Sequence, residues 1–396
     1  MNSQKIREAL LGFPYFYHKS LIHKSLSWND LDIKTYWENK TGINIDNSKI
    51  LNKKSIINSN NQSIFEKVPF LTRKCSTGGT TGKGFNFYQD VFYARQKERA
   101  YIFNIWKEIG YSPFDLRVVF RGNFSDKIIS YNWFENAYFI SPSQVKEEDT
   151  GQLKSFLKKL PDFYLHCYPS SLFKLVNLLG EDFIRTLPIK GVMAGSEVFP
   201  PEQILLFESK FNFNIVHWYG HSEYAVLAKY CKKCAGFHFY PTYGRVDFLP
   251  QHNENIHKII ATSFNKIGTQ FRFYDTEDLA VIEDDMCSDC AFPRVKNIIG
   301  RDQEFFFDKD GRPYPFGPFL FGIHGMFWQW VADIQFIQTE LGKLKVNVVL
   351  SSNIDFFSVE KILVERFAFV QLEFNYVKNI DKTKRNKARY FINEYS

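Results

Sequence analysis

The sequence predicts an α/β protein in two parts, a large layered domain followed by a small α+β unit. Three observations carry that expectation. Helix-like and strand-like apolar runs alternate through the middle of the chain, a glycine- and hydroxyl-rich loop with one lysine precedes them, and two alternating apolar runs flank a polar turn near the end. With 396 residues the chain exceeds the usual size of one domain and has ample material for a core.

Residues 1–70 are rich in polar and aromatic side chains and read as a mostly helical lead-in, with a turn cluster at Asn58-Ser59-Asn60-Asn61. The loop Thr77-Gly78-Gly79-Thr80-Thr81-Gly82-Lys83-Gly84 comes next, and a packed core has no use for so many small and hydroxyl residues beside one lysine. Its glycines admit close backbone approach, its threonines donate hydrogen bonds and Lys83 adds a mobile charge, all suited to wrapping phosphate. It is not a Walker A loop, because Gly84 stands where the metal-binding hydroxyl would be. Asp90 to Gly110 has helical spacing (Phe92, Ala100, Phe103, Trp106) and stops at glycine, so the loop is expected to precede a helix. Helices are then expected over Leu153–Leu160, over Ser171–Leu179 and after Pro201, alternating with strands near Ile189–Ala194 and Ile215–Tyr219. Beyond about Arg301, Ile334–Thr339 and Leu344–Leu350 flank Leu341-Gly342-Lys343 as a hairpin. A boundary near Gly300 gives domains 1–300 and 301–396, and no internal repeat is visible.

Fifty basic against 43 acidic residues leave a charge of +7, too small an excess to argue for nucleic acid or a membrane. The aromatic content of 18%, with 42 phenylalanines, is spread along the whole chain and reads as compositional bias rather than an aromatic ligand box. The amino terminus has no secretory pattern, and the uncharged window from Pro313 to Ala332 contains too many prolines and glycines for a membrane helix. A soluble, cytoplasmic protein with no stable membrane insertion is expected.

Further segments follow the loop in order. Ala194-Gly195-Ser196-Glu197 and Trp218-Tyr219-Gly220-His221-Ser222-Glu223 each follow an expected strand; Tyr219 is suited to stacking on a base and Glu223 to holding a metal. Phe271 to Asp278 ends on an acidic residue at an expected strand end, Ile299-Gly300-Arg301-Asp302 lies at the boundary, and Lys382 to Arg389 is a basic cluster. Cys231-Lys232-Lys233-Cys234 and Cys287-Ser288-Asp289-Cys290 are two C-x-x-C pairs in a chain of six cysteines, which favours a structural Zn²⁺ in a segment of about 229–292. His238 is a substitute ligand, and Cys75 and Cys167 read as packed thiols.

With these residues in view, the chain resembles the adenylate-forming ANL superfamily, and within it the phenylacetate-CoA ligase-like group and its capsular-polysaccharide-associated branch. Thr77 to Lys83 follows the family loop [ST]-S-G-T-T-G-K-P, with Gly78 and Gly84 as departures. Tyr219 to Glu223 matches Y-G-x-[ST]-E, Arg272 to Asp278 loosely matches R-Y-x-T-G-D with Glu277 for glycine, and Gly300-Arg301-Asp302 approximates G-R-x-D. Asn386-Lys387 approximates a late glycine-lysine, Lys384 being the fallback, and Leu165 to Leu172 is similar to the group's Y-P-S segment. The likeness runs from about residue 60 to the end, and members of the group often carry a cysteine-rich site between the second and fourth of these motifs.

The resemblance implies a large multi-layer adenylation domain with a small α+β carboxy-terminal lid. It implies that Thr77, Gly78, Gly79, Thr80, Thr81, Gly82 and Lys83 hold ATP phosphates, that Ser196, Glu197, Gly220 and Ser222 line the nucleotide, and that Tyr219 stacks on adenine. Asp278 with Arg301 would hold the ribose, Glu223 would hold Mg²⁺, and Lys387 would bridge carboxylate and α-phosphate when the lid closes. A carboxylic acid would be adenylated and passed to an amine or a thiol acceptor, CoA being the thiol candidate, in surface or capsular polysaccharide assembly. The alternatives are an acyl-CoA or aryl-CoA ligase and an inactive scaffold, which Glu277, Asn386 and Gly84 would suit. A zinc-ribbon nucleic-acid module is disfavoured by the modest charge. The oligomeric state is not encoded in these motifs.

Overall fold

The computed structural model describes residues 7, 10–42, 50–52, 55–56, 67–76, 85–121, 127–142, 144–251, 253–283, 287, 291–301, 305–321, 323, 327–350, 356–380 and 389–395. In chain order the main elements are α1 (Gly12–Ser25), α2 (Asp30–Thr41), β1 (Thr72–Ser76), β2 (Asn86–Asp90), α3 (Tyr93–Trp106), β3 (Arg117–Phe120), β4 (Ile129–Asn132) and β5 (Ala137–Ile140). There follow α4 (Thr150–Lys158), β6 (Phe163–Cys167), α5 (Pro169–Leu179), β7 (Ile189–Gly195), α6 (Pro201–Phe211) and β8 (Asn214–Gly220). Next come β9 (Leu227–Cys231), β10 (Gly236–Phe239), β11 (Gly244–Gln251), β12 (Asn253–Ser263), β13 (Tyr274–Val281), β14 (Arg294–Val295) and β15 (Asn297–Arg301). The chain ends with β16 (Phe305–Phe307), β17 (Pro313–Pro315), β18 (Val331–Glu340), β19 (Lys343–Leu350), α7 (Phe356–Arg366), β20 (Gln371–Tyr376) and β21 (Phe391–Asn393).

Contacts divide the chain into two compact units, Met1–Glu108 with Trp218–Ile299 and Ile109–His217 with Gly300–Ser396. Gly300, the boundary expected from composition, is one crossing point; the other two, after Glu108 and after His217, carry no composition shift.

In the first unit α1 packs on α3. Helix α2 starts at a capping box in which Asn29 and Asp32 exchange side-chain and backbone bonds, and ends at Gly42 in the left-handed conformation. Strands β1 and β2 pair antiparallel from Thr72↔Asp90 to Ser76↔Asn86. The glycine loop, residues 77–84, lies between them and outside the described residues. Helix α3 therefore begins later than its apolar spacing predicts: Asp90 closes β2, and its carboxylate accepts the backbone amides of Phe92, Tyr93 and Ala94. Strands β11, β12, β13 and β15 form one sheet in that order, and Trp218–Gly220 of β8 joins β9, β10 and β14 in another. The core of this unit gathers Phe85, Phe87, Val226, Phe237, Phe239, Ile259, Phe271 and Tyr274.

In the second unit β7, β6, β3 and β5 are parallel neighbours, with β4 antiparallel at the edge. Near-continuous burial along β3 and β6 is what a parallel sheet covered on both faces requires. Helix α5 opens with Pro169 in its first turn, where a missing amide costs nothing. The carboxy-terminal sheet, in order β20-β19-β18-β21, contains the expected hairpin between β18 and β19. Gly342 turns it with φ +72°, and an added Cβ would lie 2.9 Å from the Lys309 nitrogen, so no other residue fits without a shift. The uncharged window forms β17 and two short helices, Phe316–Phe321 and Phe327–Trp330, whose Phe316, Leu320 and Phe327 enter a core with Phe306, Phe336 and Phe367. Among the described residues no helix is long and apolar enough to cross a membrane. Aromatic residues thus fill this core.

Candidate functional site

Tyr219 and Asp278, two of the expected nucleotide residues, meet at the end of β8 in the first unit. Tyr219 Oη donates to Asp278 Oδ2 at 2.7 Å across 59 positions of sequence, and its ring meets Phe239 edge-on at 5.9 Å. Asp278 does not end a strand as expected. It sits inside β13, where pairing with β12 jumps from Ile260↔Asp275 to Lys258↔Leu279, so Thr276, Glu277 and Asp278 face Ile259 alone. Such a bulge turns side chains away from the strict alternation of a strand, here directing Asp278 to Tyr219. It is closed by Thr276 Oγ1 on the Ile259 carbonyl (2.8 Å) and by the Glu277 amide on Asp275 (2.8 Å). Glu277 takes φ +64°, which costs a non-glycine residue about 1–2 kcal/mol. At the position where the resembling motif has glycine, this chain holds a glutamate in a left-handed conformation that glycine adopts without that cost.

Glu223 is buried, 7% exposed, in the turn after β8. Its Oε1 accepts from Tyr274 Oη at 3.1 Å, and its Oε2 lies 3.1 Å from His221 Nδ1. Burial pushes the carboxyl up, but His221 and Tyr274 outweigh it and hold Glu223 below its ordinary range. Two residues that carry no motif hold the backbone of this turn. Gln89 on β2, 5% exposed, receives Arg73 Nη2 at 2.7 Å and donates to the Ser222 carbonyl at 3.3 Å. Asn265 donates to the Tyr224 carbonyl at 3.4 Å and receives Lys97 Nζ at 3.3 Å. Gly268 (φ +85°) lets β2 come close, since a Cβ there would stand 2.5 Å from the Tyr88 carbonyl oxygen.

Lys97 is buried with its ammonium 4.1 Å from the Tyr243 ring centre, and Tyr243 Oη donates to Glu98. Burial brings Lys97 down to about 7 and Glu98 up to about 7. Nothing in the local sequence distinguishes Gln89, Asn265, Lys97 or Glu98 from ordinary polar positions. Tyr274 lies in a motif segment, where it had no assigned part.

Other expected site residues lie elsewhere or outside the description. Ser196, with φ +69°, and Glu197 follow β7 in the second unit, where Glu197 Oε2 accepts the Ser170 amide at the start of α5, 3.0 Å away. Arg301 ends β15. Thr77 to Lys83, Cys290, Lys384 and Lys387 lie outside the described residues.

A second cluster occupies the β9–β10 turn. Donor atoms of Cys231, Cys234, His238 and Cys287 all lie within 4.8 Å of one another. Cys234 Sγ is 3.2 Å from His238 Nε2, and burial together with the neighbouring thiols pushes Cys234 up to about 12. Three sulfurs and one imidazole match the donor set and tetrahedral preference of Zn²⁺. His238 completes the described set, a position that the even C-x-x-C spacing left secondary.

Residues 321–394 match the CapK C-terminal domain family. The structure is similar to a 2-hydroxyisobutyryl-CoA ligase in the postadenylation state, with 14% identity, TM-score 0.63, and coverage of 96% of this chain and 88% of that one. It is also similar to an ATP-bound RpMatB-BxBclM chimera (13% identity, TM-score 0.51, 79% and 65% covered). Klebsiella oxytoca NpsA in complex with 3-hydroxyanthranilyl-AMSN is a further relative in fold (12% identity, TM-score 0.51, 89% and 76% covered). The chain has the adenylate-forming ligase fold. A comparison with curated proteins finds no match. The adenylate-forming fold accounts for the mixed layers and the small carboxy-terminal part.

Proposed function

We propose that the protein activates a carboxylic acid with ATP and passes the acyl group to an amine acceptor in surface or capsular polysaccharide assembly. The observation that carries this reading is the contact of Tyr219 with Asp278, two residues that the ligase resemblance assigns to adenine and ribose, beside a buried Glu223. Thr77 to Lys83 would hold the phosphates, Arg301 would join Asp278 at the ribose, and Ser196, Glu197, Gly220 and Ser222 would line the nucleotide. Glu223 fits a hard cation, because hydrogen bonds from Tyr274, His221 and its own backbone amide leave a carboxylate with acceptor capacity to spare. Bound there, Mg²⁺ would neutralise charge on the departing phosphates. Tyr274 and His221 orient the carboxylate beforehand, and Gln89 and Asn265 keep its turn in place. Lys387, on a lid of residues 301–396, would offset the repulsion between substrate carboxylate and α-phosphate.

Cys231, Cys234, His238 and Cys287, with Cys290 as the remaining candidate, would hold a structural zinc ion. A thiol acceptor such as CoA is the alternative to an amine, and the 2-hydroxyisobutyryl-CoA ligase relative favours keeping it. The test is pyrophosphate release with ATP, Mg²⁺ and a panel of aryl, hydroxy and amino acids, followed by trapping of the product with CoA or with amines. Turnover with one acid supports the ligase reading and its product names the acceptor. ATP binding without acid-dependent release would support an inactive scaffold.

A further inference from the structure

The carboxyl ends of β3 and β6 in the second unit carry polar side chains to which the ligase reading gives no part, with Glu197 after β7 beside them. Arg121 directly follows β3, is half-buried, and lies with its guanidinium 5.6 Å from the Tyr168 ring centre. It makes no hydrogen bond or ion pair with another described residue. The carboxylate whose charge reaches it, Glu135, is engaged by Arg117 at 3.0 Å. Arg117 Nη1 also stands 3.4 Å from His166 Nδ1, and burial followed by the two guanidiniums keeps His166 well below its ordinary value, hence neutral. Glu197 is turned to the Ser170 amide. Ser170 and Ser171, 6% and 0% exposed in the first turn of α5, have hydroxyls with no hydrogen-bond partner among the described residues.

A guanidinium partly withdrawn from water, with no anion paired to it among the described residues, is an unfavourable arrangement unless something else supplies the charge. Carboxyl ends of adjacent parallel strands are where open α/β sheets take ligands. Arginine's planar fork matches a carboxylate or phosphate with two parallel bonds, and the Tyr168 face fixes its plane. We propose that Arg121, with Ser170 and Ser171, receives an anionic group of the ligand. Resting on the ligase reading, this makes the substrate an acid with a second anionic group, a carboxylate or a phosphoryl group, remote from the carboxylate that is activated.

Equilibrium binding to the full chain is measured for monoacids of four to eight carbons, the diacids of the same lengths, and phosphono-acids matching the latter. At least one dianionic series is expected to bind about tenfold or more tighter than its monoacids, and carboxylate against phosphonate distinguishes the two sources. Arg121→Met should erase that preference with ATP binding and circular dichroism unchanged; Arg121→Lys should retain part, and Ser170→Ala should weaken dianion binding severalfold. Equal binding of mono- and dianions by the wild type, or a preference that survives Arg121→Met, overturns the inference. Pyrophosphate release is read in parallel. Dianion binding through Arg121 without release from any acid sinks the ligase reading alone, and release with indifference to the second charge sinks this inference alone.

Discussion

The Glu223 turn and the Cys231–His238 turn both lie beside β9 in the first unit, yet they stabilise buried polar groups in opposite ways. Glu223 is held by Tyr274 and His221, with Gln89 and Asn265 on its backbone, so its geometry exists before any ligand arrives. The thiol-imidazole cluster brings four donor atoms within 4.8 Å, and thiols are weak hydrogen-bond donors that add little to hold such a cluster together. A preorganised carboxylate affects chemistry when it is lost. A convergent thiol set would act on folding once it holds a metal, because the free energy of metal binding would then be folding free energy.

The widest separation should come from metal removal. One zinc per chain is expected by elemental analysis, and a chelator or Cys231→Ser with Cys234→Ser should lower Tm by on the order of 10 °C. A metal-free purified protein of unchanged Tm would end the contrast. Glu223→Gln should do the reverse, cutting acid-dependent pyrophosphate release about 10²- to 10³-fold while Tm moves by only about 2 °C. If its Tm falls as far as that of the cysteine variants, the turn is structural and the carboxylate has no catalytic part.

Lys387→Ala extends the comparison to a charge expected to act in turnover only. Release should drop on the order of 10²-fold with nucleotide affinity nearly unchanged. Lys384→Ala is the control, and loss in that variant instead would shift the register of the terminal match. A smaller effect is expected at Gln89, which acts through the Ser222 backbone. Gln89→Ala should raise KM for ATP about tenfold and change kcat less; equal losses in both would show that the residue does more than position the turn.

The mildest effect concerns Glu98 and Lys97. A carboxyl raised from 4.5 to about 7 contributes stability fully present below pH 4.5 and lost as pH rises through about 7. Lys97, lowered from 10.5 to about 7, contributes stability present above pH 10.5 and lost as pH falls through about 7. Thermal unfolding of Glu98→Gln should therefore lack the decline between pH 4.5 and 7, and an unchanged profile there would place the titrating group elsewhere.

The apolar spacing of residues 171–179 and 189–194, and the turn between residues 341 and 343, were enough to locate α5, β7 and the β18–β19 hairpin, because helix and strand periods are local properties of a chain. The order of motifs likewise pointed to Tyr219, Glu223 and Asp278, and the C-x-x-C pairs to the cluster that Cys231, Cys234 and Cys287 form. Local reading failed where hydrogen bonds overrode spacing. Asp90 looked like the first residue of a helix and became the end of a strand because its carboxylate could cap three amides. Gln89, Asn265, Tyr274 and Arg121 carry no signature, since what distinguishes them is a partner far along the chain, such as Ser222 at 133 positions from Gln89, or the lack of one among the described residues. By itself, then, the sequence determined the α/β class and the small carboxy-terminal hairpin unit, and it singled out Tyr219, Asp278 and the cysteines that the structure brings together. Tertiary structure alone decided that three residues of β13 bulge to carry Asp278 to Tyr219, and that His238 joins the cysteines. The reason is physical: register and convergence depend on which distant backbone groups pair, and no local spacing encodes that choice.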